Sequence, residues 1–129
     1  MNSELTYLAL ASVLTGLLWV PYILNEILVR GLTDAVGYPD NPKPLAKWAQ
    51  RLKAAHYNAV ENLVVFTALV LVAHAAGIHN AAIATSAMVY FWARVVHAAA
   101  YAFAVPWVRT AAFVVGVGAQ LCIAWHILL

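Results

Sequence analysis

Two short stretches of the sequence carry groups that bind and orient small polar molecules. RLKAAHYNAVENLVVF (51–66) puts Asn58 and Glu61 three residues apart, hence on one side of a helix, inside an apolar run. RVVHAAAY (94–101) sets Arg94, His97 and Tyr101 at steps of three and four. A third polar strip holds Asn25, Glu26 and Arg30, and Arg109 follows the turn AVPWV. Arg30 and Arg109 carry charge that Glu26 and Glu61 cannot neutralise once those are paired. A small anionic ligand would complete the balance.

The surroundings make these groups expensive. The chain has 129 residues, 65% of them hydrophobic and 9% charged, with a mean hydropathy of +0.83. A soluble domain would carry about a quarter charged residues, so the composition is that of an integral membrane protein, expected as one domain over residues 1–129. A net charge of +2 is too small to point to nucleic acid. The single cysteine, Cys122, excludes an internal disulfide and reads as a small packed hydrophobe in the last apolar run. The first apolar run is longer than a signal core of ~7–15 residues and has no basic leader, so it is expected to remain as a span.

Four apolar segments, at about 5–29, 56–76, 81–104 and 106–128, each approach the ~20 residues that cross a bilayer. Pro21 is expected to kink the first. GLTDAVGYPDNPKP (31–44) is the one substantial loop, with Pro44 suited to open the second helix. The other connections are short. These features predict an all-α, up-down-up-down four-helix bundle in the membrane. Small residues in NAAIATSAM, VVHAAAYAFA and GVG would let its helices approach closely.

Basic residues set the orientation. Arg30, Lys43, Lys47, Arg51 and Lys53 flank or fill the first loop and Arg109 the third turn, whereas both termini and AAGIHN hold no Lys or Arg. The first and third loops are therefore expected in the cytoplasm and both termini outside. Trp48, Trp107 and Tyr38 read as anchors at the cytoplasmic interface, and Trp125 at the outer one. Short loops suggest a bacterial inner membrane.

At ~1.5 Å per residue, Glu61 and Arg94 fall in the same cytoplasmic half of the bilayer and are expected to face one another. Either would cost several kcal/mol if left alone in hydrocarbon. Two readings stand: these polar groups satisfy each other and hold the helices in register, or they line a ligand site. The outer half reads as almost purely apolar. His74, His79 and His126 lie near the outer boundary, HAAGIH is no metal-ligand spacing, and no metal is expected.

Together, R(51)LKAAHYNAVENLVVF, R(94)VVHAAAY and R(109) resemble the MAPEG superfamily, membrane-associated proteins in eicosanoid and glutathione metabolism. The likeness covers nearly the whole chain and is closest in its third-helix pattern to the prostaglandin E synthase and microsomal glutathione transferase branch. The resemblance implies a homotrimer that binds glutathione in clefts between protomers, open to the cytoplasm. Asn58 and Glu61 would hold the tripeptide's polar groups, Arg94, His97 and Tyr101 would line the cleft, and Arg30 would reach it from the first helix. Arg109 would be the catalytic residue, stabilising the thiolate. Glutathione-using eukaryotic members carry arginines just before the Asn, where this chain has Ala54 and Tyr57; Arg51 and Lys53 are expected on other faces.

Two functions follow from the resemblance. One is a glutathione-dependent transferase or peroxidase acting on apolar electrophiles or lipid hydroperoxides. The alternative is a non-catalytic lipid-binding or scaffold protein of the same family. The apolar outer half offers no continuous path for a transporter or channel.

Overall fold

A computed structural model describes residues 1–129. It contains six helices and no strand: α1 (Ser3–Leu17), α2 (Trp19–Arg30), α3 (Leu32–Val36), α4 (Lys47–Ala75), α5 (Ala81–Ala102) and α6 (Pro106–Leu128). Local chemistry sets several of these boundaries. Asn2 and Asn80 cap α1 and α5, their side-chain oxygens accepting from the N–H groups of Leu5 at 3.1 Å and Ile83 at 2.9 Å. Pro21 has no N–H to offer the carbonyl of Leu17, and the chain breaks helical register at Leu18 between α1 and α2. The interruption falls where Pro21 was expected to disturb the helix, although Leu18 keeps right-handed helical dihedrals and Ser3–Arg30 continues as one span. Gly31, at φ 80°, ends α2 in a conformation that a side chain would strain.

Three helical segments are long and apolar enough to cross a membrane: Ser3–Arg30, Lys47–Ala75 and Pro106–Leu128. The fourth expected span is α5, which has the length but carries Arg94 and His97. Both are turned inward, each 3% exposed, so protein rather than lipid covers them. Helix α4 begins at Lys47, ahead of the apolar segment that starts near 56, as a helix opening outside the lipid requires, but Pro44 lies before it rather than in its first turn. Leu45 instead packs with Tyr22, Ala49 and Leu52 in a small cluster, while the N–H of Ala46 donates to Asn25 Oδ1 at 2.9 Å. The loop is thus tied to α2 before the second long helix starts.

The main core joins all four long segments. Leu8 and Ala11 of α1 meet Phe66, Val70 and Ala73 of α4, Ile83, Ala87 and Tyr90 of α5, and Ala119 and Ile123 of α6. Phe66 and Tyr90 stack with ring centroids 3.8 Å apart. The closest partnership is α5 with α6, where Gly116 lies against Ala93 and the Arg94 stem. Small residues allow that approach, as their density in the sequence suggested.

The end of the molecule opposite the α5–α6 turn is less apolar than expected. Glu4, only 3% exposed, lies 3.0 Å from His79 Nδ1, and the His74 and His79 rings meet edge to face. The reason is positional: the first turn of α1 tucks under the α4–α5 connection, so a carboxylate at its start is buried and finds the imidazole beside it.

Candidate functional site

The buried guanidinium of Arg94 organises the interior near the α5–α6 turn. Its Nη2 donates to Asn58 Oδ1 at 2.6 Å and lies 3.3 Å from His97 Nδ1. An arginine only donates, so His97 accepts at Nδ1 and carries its proton on Nε2. Asn62 donates to the Asn58 carbonyl at 2.9 Å and to its Oδ1 at 3.3 Å, and Gln120 donates to the Asn62 carbonyl at 3.0 Å. One polar chain therefore links α4, α5 and α6. Arg94 Nε is buried with no partner.

The expected Arg94–Glu61 pairing does not form. Glu61 is exposed on the outer side of α4, and its place beside Arg94 is taken by Asn58. The geometry of the helix explains this. At about 100° per residue, a step of three leaves roughly 60° between two side chains, whereas a step of four leaves about 40° on the other side. With Asn58 aimed at α5, Asn62 joins it and Glu61 swings outward among Val60, Val64 and Val65, also exposed.

Arg30 is likewise engaged elsewhere within the chain. It pairs with Glu26 at 2.6 Å, and its Nε donates to the Lys43 carbonyl at 2.7 Å, stapling the first loop to α2. The strip read from Asn25, Glu26 and Arg30 thus holds loop structure in a single protomer.

Tyr101 and Arg109 stand at the junction of two cavities. The guanidinium carbon of Arg109 sits over the Tyr101 ring, 4.6 Å from its centroid, in a cation–π contact. One cavity, of about 190 Å³, lies between Arg51, Tyr101, Arg109 and the α5–α6 turn. The other, of about 290 Å³, opens between Asn58, His97, Tyr101, Arg109, Thr110 and Phe113. Together they reach the lower part of the ~300–1,000 Å³ range of ligand sites.

Arg51 was expected on another face, and here the structure corrects the sequence reading. Arg51 precedes Asn58 by seven residues, two helical turns, which brings it back to within about 20° of the same direction. Its Nε donates to the carbonyl of Ala102, the last residue of α5, at 3.1 Å. The i, i+7 spacing was the available signal.

Three guanidinium groups, Arg51, Arg94 and Arg109, therefore surround the site, and none is ion-paired. The carboxylates that meet a basic side chain are Glu26, on Arg30, and Glu4, on the His79 imidazole. The sequence profile of the MAPEG family matches residues 7–129. The chain belongs to the MAPEG family. Curated proteins and solved structures give no match to it. Within this MAPEG protein, Asn58, Arg94, His97, Tyr101 and Arg109 come together from α4, α5 and α6. Arg30 and Glu61 do not join them. No group of three or more His, Cys, Asp or Glu side chains is placed to hold a metal ion.

Proposed function

We propose that this MAPEG protein is a glutathione-dependent transferase or peroxidase of the membrane, nearest the prostaglandin E synthase and microsomal glutathione transferase branch. One observation carries the reading: Arg51 and Arg109 line two neighbouring cavities, Arg94 is buried behind Asn58 of the second, and no carboxylate is paired to any of the three. Unpaired cations in a site of low dielectric favour an anionic ligand. Glutathione would supply a thiolate that forms a C–S bond as an apolar electrophile's leaving group departs, or two thiols oxidised to a disulfide as a hydroperoxide is reduced to alcohol and water.

The protein's share is positioning and charge. Arg109, held by Tyr101, lies where a thiolate could be stabilised; a thiol of pKa near ~8.5 needs an adjacent cation to be mostly ionised at neutral pH. Arg94 fixes the Asn58 carboxamide, whose N–H groups remain free to orient a carbonyl or carboxylate. His97 keeps a donor at Nε2. In this proposal α5 completes a set of four spans, with the first and third loops on the cytoplasmic side where glutathione is dissolved.

A second reading has its own support. Met88, Trp92, Val96, Val108, Ala112 and Val115 belong to an all-apolar groove of about 500 Å³ between α5 and α6. Such a groove suits a lipid chain and fits the non-catalytic lipid-binding alternative as well as an apolar substrate. Titration of the detergent-purified protein with glutathione separates the two. Binding to the folded state alone raises the melting temperature, by the equivalent of ~2.7 kcal/mol at a hundredfold excess over Kd. An unchanged melting temperature up to millimolar glutathione removes the enzyme reading.

Glu61 supports assembly. A carboxylate among exposed valines would cost several kcal/mol facing lipid, so we take the outer face of α4 to be covered by another copy in a homotrimer. Native mass spectrometry from mild detergent should show trimers at micromolar concentration. Monomers alone would leave Glu61 in lipid and remove the interprotomer cleft.

A further inference from the structure

We infer that Arg51 is a specificity residue: with Arg109 it forms a two-cation cup that holds an anionic group, carboxylate or phosphate, belonging to the ligand rather than its thiol. This rests on the glutathione reading for the identity of the ligand, but not for the existence of the cup. Four observations carry it. Arg51 and Arg109 line the same small cavity, although they belong to α4 and α6. Neither has an acidic partner. The Nε of Arg51 is already committed to the Ala102 carbonyl, which anchors the side chain beside the cavity and leaves both terminal nitrogens without a partner in the chain. Finally, the wall between them is the α5–α6 turn, held with Ala104 at φ 60°, a left-handed conformation that an alanine adopts only under local strain.

Two guanidinium groups on one cavity repel unless an anion lies between them. A preorganised pair is suited to a planar carboxylate or a tetrahedral phosphate, because each arginine can offer two parallel N–H donors. The cup also answers a chemical need of this chain. Ala54 and Tyr57 supply no cation ahead of Asn58, and Arg51, two turns earlier on nearly the same side of α4, supplies one from a different position.

The test compares Arg51→Gln and Arg51→Lys with the unaltered protein in detergent, measuring affinity for glutathione and for its diethyl ester, which lacks both carboxylates. A charge-assisted contact of this kind should make Arg51→Gln bind glutathione about tenfold or more weakly. Arg51→Lys should recover part of that loss, and the ester should change less than about threefold. At saturating glutathione Arg51→Gln should retain the ultraviolet absorbance of the bound thiolate, which separates this role from that of Arg109. Unliganded melting temperatures within a few degrees of one another show that the fold is intact.

A second arm uses short-chain phosphatidic acid against neutral diacylglycerol. If the unaltered protein ignores glutathione but binds the phosphatidic acid in an Arg51-dependent manner, the cup stands with a lipid headgroup as its anion, and the glutathione reading falls alone. If Arg51→Gln weakens acid and ester equally, or changes the binding of neither glutathione nor phosphatidic acid, the inference is overturned.

Discussion

Replacing Arg109 with alanine is expected to lower glutathione-dependent turnover by about a hundredfold or more, the usual effect of removing one group that stabilises developing negative charge. Affinity for glutathione should fall by only about tenfold, the loss expected when the cup keeps Arg51 but not its partner, because Asn58 and Arg51 still line the cavities and Arg94 still holds Asn58. The part of its interaction made with the thiolate appears in kcat and in the thiol's ionisation rather than in ground-state binding. The bound thiolate absorbance seen near neutral pH should shift to higher pH in the variant. Arg109→Lys should fall between the two: it keeps a charge but loses the planar group that lies on Tyr101. If the unaltered protein shows no glutathione-dependent thiolate, and Arg109→Ala changes nothing but stability, the enzyme reading fails and a lipid-binding scaffold replaces it.

What could be read in the sequence depended on whether a residue's neighbours lie on its own helix. Arg94, His97 and Tyr101 follow helical steps along α5, so their common side was visible at once. A disturbance within a helix was visible where a residue acts on its own backbone, as at Pro21. Partners across helices were harder. Asn58 and Glu61 satisfy the same spacing rule toward an unseen neighbour, and only the packing of α4 on α5 decides that Asn58 meets Arg94. The match over residues 7–129 places the chain in its family but does not settle such pairings. Arg51 required counting two turns rather than one. Glu4 and His79 stand 75 residues apart and meet only because α1 begins beneath the α4–α5 connection.

Arg94 offers the most informative test of the structure, because two substitutions should separate in opposite directions. Arg94→Ala removes a long stem that lies beside Gly116 and leaves a void in the most extensive helix contact, for which about 2–4 kcal/mol of destabilisation is expected. Arg94→Met fills most of the same space with apolar atoms. It removes a buried charge whose Nε has no partner, and the relief of that desolvation offsets the lost bond to Asn58. Its melting temperature in detergent should therefore lie within a few degrees of the unaltered protein, or above it. Binding should nevertheless suffer in Arg94→Met, because Asn58 loses the donor that fixes its carboxamide and retains only the 3.3 Å contact from Asn62. Had Arg94 been paired with Glu61 inside the membrane, Arg94→Met would strand a buried carboxylate and cost about 3–5 kcal/mol, as much as the alanine variant or more. Equal, severe destabilisation by both substitutions would therefore restore the Glu61 pairing, whereas a stable Arg94→Met beside a weakened Arg94→Ala requires the Asn58 arrangement.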